Sequence, residues 1–376
     1  MRRLYEKHII NDLKNKMVFI GGPRQVGKTT ITEHLIKHSF TDGAIFNWDS
    51  EADRTAILKY KWPEASQLIV FDELHKYPKW KQWIKGIYDT KTNNQQYIVT
   101  GSAKLNVYKK GGDSLLGRYH YWRIHPLSLD EIPNNVDIQD AYQRLMTVGG
   151  FPEPFLSNNQ RSARRWRRER FERILREDVQ DLSNIRQLQL LKILADELRN
   201  RVGSMTNNAN IAADIQVSAN TIKQWLALLH EMYVTFPIYP MTKNVPRSIL
   251  KPAKIFFYDN ADVLNGEGAR LENLVATHLL KRLHYLEDFE GYECSLHYIR
   301  DKDGREVDFV TVIDGKITDL IEVKTKDNDI SSALKYYAEK LNPIRATQLV
   351  GNLKRPYDKH GIKVTTPIEF FKRPIW

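Results

Sequence analysis

The sequence predicts an α/β chain: a parallel-sheet domain with a phosphate-binding loop, then a helical middle, then a second α/β domain. Three observations predict it. The stretch GGPRQVGKTT, Gly21 to Thr30, lies between the apolar run Met17 to Ile20 and a helix-compatible stretch from Thr29 to His38. A second apolar run, Leu68 to Phe71, ends in two acids, Asp72 and Glu73. From Lys254 onward short strand-like runs alternate with two helical ones, with carboxylates at strand spacing among them.

The glycine-rich stretch matches G-x-x-x-x-G-K-[ST] in the strand-loop-helix setting that the pattern requires. Gly22 and Gly27 let backbone N–H groups wrap a polyphosphate, because no Cβ blocks the approach. Lys28 brings a point charge to the β and γ phosphates, Thr29 offers a hydroxyl to Mg²⁺, and the helix N-terminus behind them favours the anion. The candidate nucleotide-binding residues are Gly22, Pro23, Arg24, Gln25, Val26, Gly27, Lys28, Thr29 and Thr30.

Leu68 to Phe71 has the character of a strand buried on both faces of a parallel sheet, and the acids at its C-terminal end lie where ligands bind in open α/β sheets. Asp72 is placed to hold Mg²⁺ through its water shell, and Glu73 to orient or deprotonate the attacking water. Together with the loop, these acids point to hydrolysis of a nucleoside triphosphate. Ala44 to Trp48 reads as another strand. Between Pro78 and Asp89, Trp80, Trp83, Ile84, Ile87 and Tyr88 form one helical stripe, read as a face buried on the sheet in preference to a base-stacking surface. A further strand, Gln96 to Gly101, brings Thr100 and Ser102 to the edge that holds Asp72, where a hydroxyl can sense the γ-phosphate. The loop Gly111 to Arg118 precedes a strand from Tyr119 to Ile124. Arg118 has three readings: an arginine finger acting within the chain, one acting on a neighbouring subunit, or a structural cap.

GPRQVGKTT, the strand ending in DELHK, the VTGSA segment, and GDSLLGR followed by HPLSLDE resemble the AAA+ superfamily ATPases that carry a DUF4143-type C-terminal region. The resemblance covers nearly the whole chain. It implies a five-stranded parallel P-loop sheet, Ser102 or Thr100 in the sensor-1 position, Arg118 in the place of a finger or sensor arginine, and ATP and Mg²⁺ as cofactors.

With 376 residues, 41% of them hydrophobic, the chain can build two or three domains with their own cores. A net charge of +11 points to an anionic partner, with DNA or another nucleic acid first and an acidic membrane surface second. Cys294 is the single cysteine, which excludes an intrachain disulfide framework and fits a reducing, cytoplasmic setting. The start, MRRLYEKHIINDLKNK, lacks the apolar core of a secretory signal or anchor, and no stretch reaches transmembrane length, so of the two anionic partners nucleic acid is the one expected and no membrane-bound form is. The oligomeric state is left open. Four segments are expected: a P-loop ATPase domain over 1–130, a helical lid or linker over 131–185, a winged-helix-like domain over 186–250 and a nuclease-like domain over 251–376.

Residues His125 to Leu182 read as helical, broken at Gly149 to Pro154. Arg161 to Arg176 holds eight arginines against two glutamates, as a phosphate-tracking helix, a solvated linker paired with acids, or a lid reaching the nucleotide. Helical stretches over 188–202, 208–215 and 220–233, followed by an extended Val234 to Pro240, resemble a winged helix-turn-helix with Asn220, Lys223 and Gln224 exposed. Such modules either read DNA or bind protein.

In the last segment, strand alternation puts Glu322 and Lys324 on one face of Leu320 to Lys324, and turns Asp308 away from Val307 and Phe309. A bulged or odd-length turn near Gly315 would set Asp308 across from Glu322; a two-residue Asp314-Gly315 turn alone would shift the register by one and scatter the acids. Asp308 and Glu322 then hold a metal, Lys324 positions water or stabilises phosphate charge, and Glu272 on the preceding helix completes the set. This D…E-x-K spacing with its helix glutamate resembles the PD-(D/E)xK nuclease superfamily, with Val307 standing where proline is usual. The bland alternative is a charged strand pair with ordinary cross-strand salt bridges. Two functions result: an ATPase whose nucleotide state regulates a nucleic-acid-binding, nuclease-like half, or a signalling or scaffold ATPase that binds protein partners and has a catalytically inactive nuclease-like domain.

Overall fold

The computed structural model describes residues 3–91, 94–102, 115–133, 135–178, 185–242, 251–326 and 329–372. The chain divides into two compact units, Met1–His125 and Pro126–Trp376.

The first unit is built on β1 (Met17–Gly21), β2 (Gly43–Asn47), β3 (Leu68–Asp72), β4 (Gln96–Gly101) and β5 (Tyr119–Arg123), in the order β2-β3-β4-β1-β5. All four pairings are parallel. β1 and β3 are buried along their whole length, as strands covered by helices on both faces must be. α1 (Glu6–Leu13) precedes β1, and α2 (Lys28–Ser39) begins where the glycine-rich loop ends. α3 (Glu51–Leu58) starts at Ser50, whose hydroxyl accepts the Asp53 N–H. α4 (Trp80–Thr90) lays Trp80, Trp83, Ile84 and Ile87 against Phe19, Ile69, Phe71 and Tyr97, so its aromatic stripe is core. Because the sheet is parallel, the ends of β1, β3 and β4 share one edge, and that edge gathers Gly21, Asp72 and Gly101.

The second unit opens with α5 (Ile138–Thr147), α6 (Pro152–Ser157) and α7 (Gln160–Arg173), and the chain breaks between α5 and α6 where Gly149 and the prolines predict it. α8 (Ile185–Arg199), α9 (Asn208–Ile215) and α10 (Ala219–Glu231) match the three expected helices, and Ser218 caps α10 by accepting the Thr221 N–H. The expected wing contributes β6 (Thr235–Pro240) to an eight-stranded sheet. β6 pairs antiparallel with β7 (Lys254–Phe257) and parallel with β8 (Cys294–Arg300). The sheet continues through β9 (Glu306–Ile313), β10 (Lys316–Lys324), β11 (Arg345–Val350), β12 (Tyr357–Lys359) and β13 (Ile362–Thr365), in the order β12-β13-β11-β10-β9-β8-β6-β7. α11 (Gly266–Tyr285) follows β7, α12 (Ser332–Leu341) packs Leu334 and Tyr337 against Val307, Val310, Leu320 and Val350, and α13 (Pro367–Phe371) ends the described chain.

The β9–β10 connection decides where the acids lie. Asp314 and Gly315 form a two-residue turn with φ of 48° and 73°, which sets Ile313 opposite Lys316. Positive φ at both positions matches the right-handed twist of the strands. The ladder then slips between Ile317 and Asp319, so that Asp319 faces Thr311 and Ile321 faces Phe309. The tight turn alone would have scattered the acids, and the bulge restores the register that brings Asp308 to Glu322.

Candidate functional site

In the first unit, the loop between β1 and α2 folds over Lys28, whose buried ammonium donates to the Gly22 and Pro23 carbonyls at 3.0 and 2.9 Å. Thr29 Oγ1 donates to Asp72 Oδ2 at 2.9 Å, and the Thr100 hydroxyl donates to Asp72 Oδ1. Ser102 Oγ donates to Glu73 Oε2 at 2.9 Å, and Thr100 Oγ1 accepts the Glu73 N–H at 3.4 Å. The loop and the ends of β3 and β4 are therefore one hydrogen-bonded set. His75 Nε2 and Lys76 Nζ stand 3.7 and 3.9 Å from the same Glu73 oxygen. Burial lowers the His75 pKa and outweighs the opposing pull of Glu73. Thr29 and Asp72 present a hydroxyl and a carboxylate oxygen within reach of each other, the hard donors that Mg²⁺ takes alongside water. The residues fit that ion.

Sequence reasoning passed over Arg3. Its buried guanidinium donates to Val26 O at 3.0 Å and His125 O at 2.6 Å, tying the glycine-rich loop to the chain two residues beyond β5. No local pattern marks that arginine; only the fold brings positions 3, 26 and 125 together.

In the second unit, Asp308 Oδ2 accepts the Val323 N–H at 2.8 Å, and Lys324 Nζ donates to Glu322 Oε1 at 2.7 Å. Glu322 Oε2 is buried and has no hydrogen-bond partner among the described residues. Glu272 reaches the cluster from α11; the approach depends on Gly203, where a Cβ would come within 2.5 Å of Glu272 Oε2. At the centre sits Lys254, which sequence reasoning did not single out. Its side chain is 3% exposed, and its ammonium is 3.2 Å from Glu272 Oε1, 2.6 Å from Glu306 Oε1 and 3.9 Å from Asp308 Oδ1.

Burial, and then Asp308, push Glu272 up to about 8 against the pull of Lys254. Glu322 is pushed up to about 7 by burial and then by Asp308. Burial also raises Asp308. Lys254 stays protonated in spite of its burial because Glu272, Asp308 and Glu306 surround it. Among the described residues no group of three or more His, Cys, Asp or Glu side chains is arranged to hold a metal ion. The expected metal set of Glu272, Asp308 and Glu322 is correspondingly gathered around, or paired with, lysine ammonium groups.

Residues 14–133 match the family model of an AAA domain, and residues 267–371 match that of DUF4143, a domain of unknown function. These two stretches are thus similar to an AAA domain and to a DUF4143 region. Residues 139–263, between them, match a second domain of unknown function, DUF8612. Over 388 residues the chain is 24% identical to an uncharacterized protein of Methanocaldococcus jannaschii, covering 94% of this chain and 85% of that protein. It is 22% identical over 245 residues to an uncharacterized protein of Mycobacterium tuberculosis, covering 65% of this chain and about half, 54%, of that protein. Similar solved structures include the Aeropyrum pernix Orc1 protein in complex with DNA, at TM-score 0.35 and 10% identity over 75% of this chain and 95% of that one. The Thermotoga maritima RuvB Holliday junction branch migration motor matches at TM-score 0.32 and 15% identity, over 65% and 94%.

Within the AAA domain, Arg118 is not brought to the phosphate loop. It pairs with Asp89 through Nε at 2.7 Å and Nη2 at 3.0 Å, and its carbonyl accepts the Met17 N–H. That places it at the start of β5, at the end of the sheet opposite the one that holds Asp72. Gly111 to Ser114, the first part of its loop, lie outside the described residues.

Within the DUF8612 segment, Arg164, Arg167 and Arg168 of α7 line a cavity of about 440 Å³ with Lys192 and Arg199 of α8. Lys192 pairs with Glu172, and Arg199 with Asp196 and Asp262. Arg170 instead turns inward, buried, over the Phe151 ring at 4.0 Å. The arginine run is thus divided between core and surface. Asn220, Lys223 and Gln224 are exposed on α10.

Proposed function

We propose that this chain hydrolyses ATP with Mg²⁺ in its AAA domain, and that its nucleotide state regulates a second unit that binds nucleic acid. The observation that carries the hydrolytic part is the linked set Thr29–Asp72–Thr100 and Ser102–Glu73. Backbone N–H groups of the loop bind the phosphates, and Lys28 exchanges the Gly22 and Pro23 carbonyls for phosphate oxygens. Thr29 and Asp72 would hold Mg²⁺, which neutralises charge on the phosphates. Glu73 orients the attacking water or takes its proton, with Ser102 fixing the carboxylate. ATP turnover by the purified chain, compared with Glu73→Gln, tests this: binding persists in the variant and turnover is lost. A variant that hydrolyses as well as the wild type overturns the assignment.

The net charge of +11 and the α7 arginines around their cavity support the nucleic-acid part. It is tested by DNA binding across a salt series, where a steep fall is expected and no binding, or a flat response, refutes it. For Asp308, Glu322 and Lys324, the lysine among the carboxylates favours the second reading, a catalytically silent domain, over metal-dependent cleavage.

A further inference from the structure

We infer that Lys254 is the resident cation of the carboxylate cluster, a tethered ammonium standing where the sequence pattern would place a divalent metal. Glu272, Glu306 and Asp308 aim oxygens at its nitrogen from 3.2, 2.6 and 3.9 Å. Mg²⁺ needs oxygens converging at about 2.0–2.1 Å in near-octahedral geometry. Three further oxygens are committed elsewhere, Asp308 Oδ2 to the Val323 N–H, Glu322 Oε1 to Lys324 and Glu306 Oε2 to Arg300, which leaves Glu322 Oε2 as the buried oxygen of the cluster with no hydrogen bond among the described residues. The Tyr298 ring covers the ammonium at 5.4 Å. A cation this buried is tolerated because it is paired on several sides, and the same pairing leaves those carboxylates without the charge that would draw in a second cation.

The origin of the lysine matters as much as its position. It comes from β7, in the segment matching DUF8612, whereas Glu272, Glu306, Asp308 and Glu322 lie in the segment matching DUF4143. The ammonium therefore fastens β7 to α11 and β9 across the junction of two family segments. In this chain the cluster is a structural clasp that binds no metal.

The test is Mn²⁺ binding to the nucleotide-free full chain, followed by the electron spin resonance of the free ion. The wild type and Asp308→Asn are expected to bind Mn²⁺ identically. Lys254→Met is expected to gain one site, lost again in the Lys254→Met, Asp308→Asn double variant. A wild-type site that disappears in Asp308→Asn overturns the inference. So does a folded Lys254→Met chain that gains no site, since the lysine would then not be what keeps metal out. If Lys254→Met fails to fold, the comparison of wild type with Asp308→Asn still decides. ATP turnover is measured separately, so the hydrolytic assignment stands or falls on its own.

Discussion

Thr29 Oγ1 donates to Asp72 Oδ2 at 2.9 Å, joining the first turn of α2 to the end of β3 across 43 positions of sequence. The two oxygens that would share Mg²⁺ are thus positioned together by the fold. Thr29→Ala removes one of them and leaves Asp72 held by Thr100. ATP turnover should fall by about 10–100-fold, the scale of losing a positioned partner at a metal site, and should need more Mg²⁺ for half-maximal rate. A Mg²⁺ titration of the steady-state rate checks both.

Glu73 is the candidate general base, so Glu73→Gln should lower kcat by about 10²–10⁴-fold while ATP affinity is unchanged. Ser102→Ala removes one hydrogen bond to a charged acceptor, an interaction of about 1.5–3 kcal/mol, and should fall between the wild type and Glu73→Gln. Turnover together with equilibrium binding of a labelled nucleotide separates the two effects.

Lys281 is buried with its ammonium 2.5 Å from Glu131 and 2.6 Å from Ser128 Oγ. Lys281→Met leaves the buried Glu131 carboxylate without that counter-charge. The loss should destabilise the second unit by about 3–5 kcal/mol, read from urea unfolding.

Glu272, held up to about 8, and Glu322, held up to about 7, bind protons in the folded state at pH values where an unfolded carboxyl has released them. Through these two carboxyls the folded chain binds more protons than the unfolded one between about pH 4.5 and 8, and the stability they contribute falls as pH rises through that window. His278, lowered to about 3 by burial, acts in the opposite sense, contributing stability above its unfolded pKa that is lost on acidification. Comparing melting temperatures of the wild type with Glu272→Gln and Glu322→Gln isolates the carboxyls. Each variant should flatten the decline between about pH 5 and 8.

If the α7 arginines bind phosphates, replacing Arg164, Arg167 and Arg168 with Gln should weaken DNA binding. The slope of log affinity against log salt should become shallower by about 0.9 for each phosphate that is no longer neutralised. An unchanged slope would assign those arginines to the surface alone.

Contiguous chemistry was legible in the sequence. The phosphate loop, the acids ending β3, the hydroxyls ending β4, the α4 stripe and the three middle helices all depend on neighbours in the chain or on one periodicity, and each falls where expected. The requirement for either an odd-length turn or a bulge between Asp308 and Glu322 was also readable, because period-two alternation makes any register slip visible as a change of face. Its location at Thr318, beyond a tight two-residue turn, was not.

Local spacing was enough for the glycine-rich loop, the strand acids and the D…E-x-K pattern, because it dictates which face and which edge a side chain takes. What those groups meet was settled by tertiary packing. Strand order put Arg118 at the far edge of the sheet, and the packing of α1 brought Arg3 to the loop. The pairing of β6 with β7 and β8 carried Lys254 into the acids. Proximity between remote segments depends on sheet order and register, which no short window of sequence contains. For that reason the carboxylate pattern was readable, and the lysine that neutralises it was not.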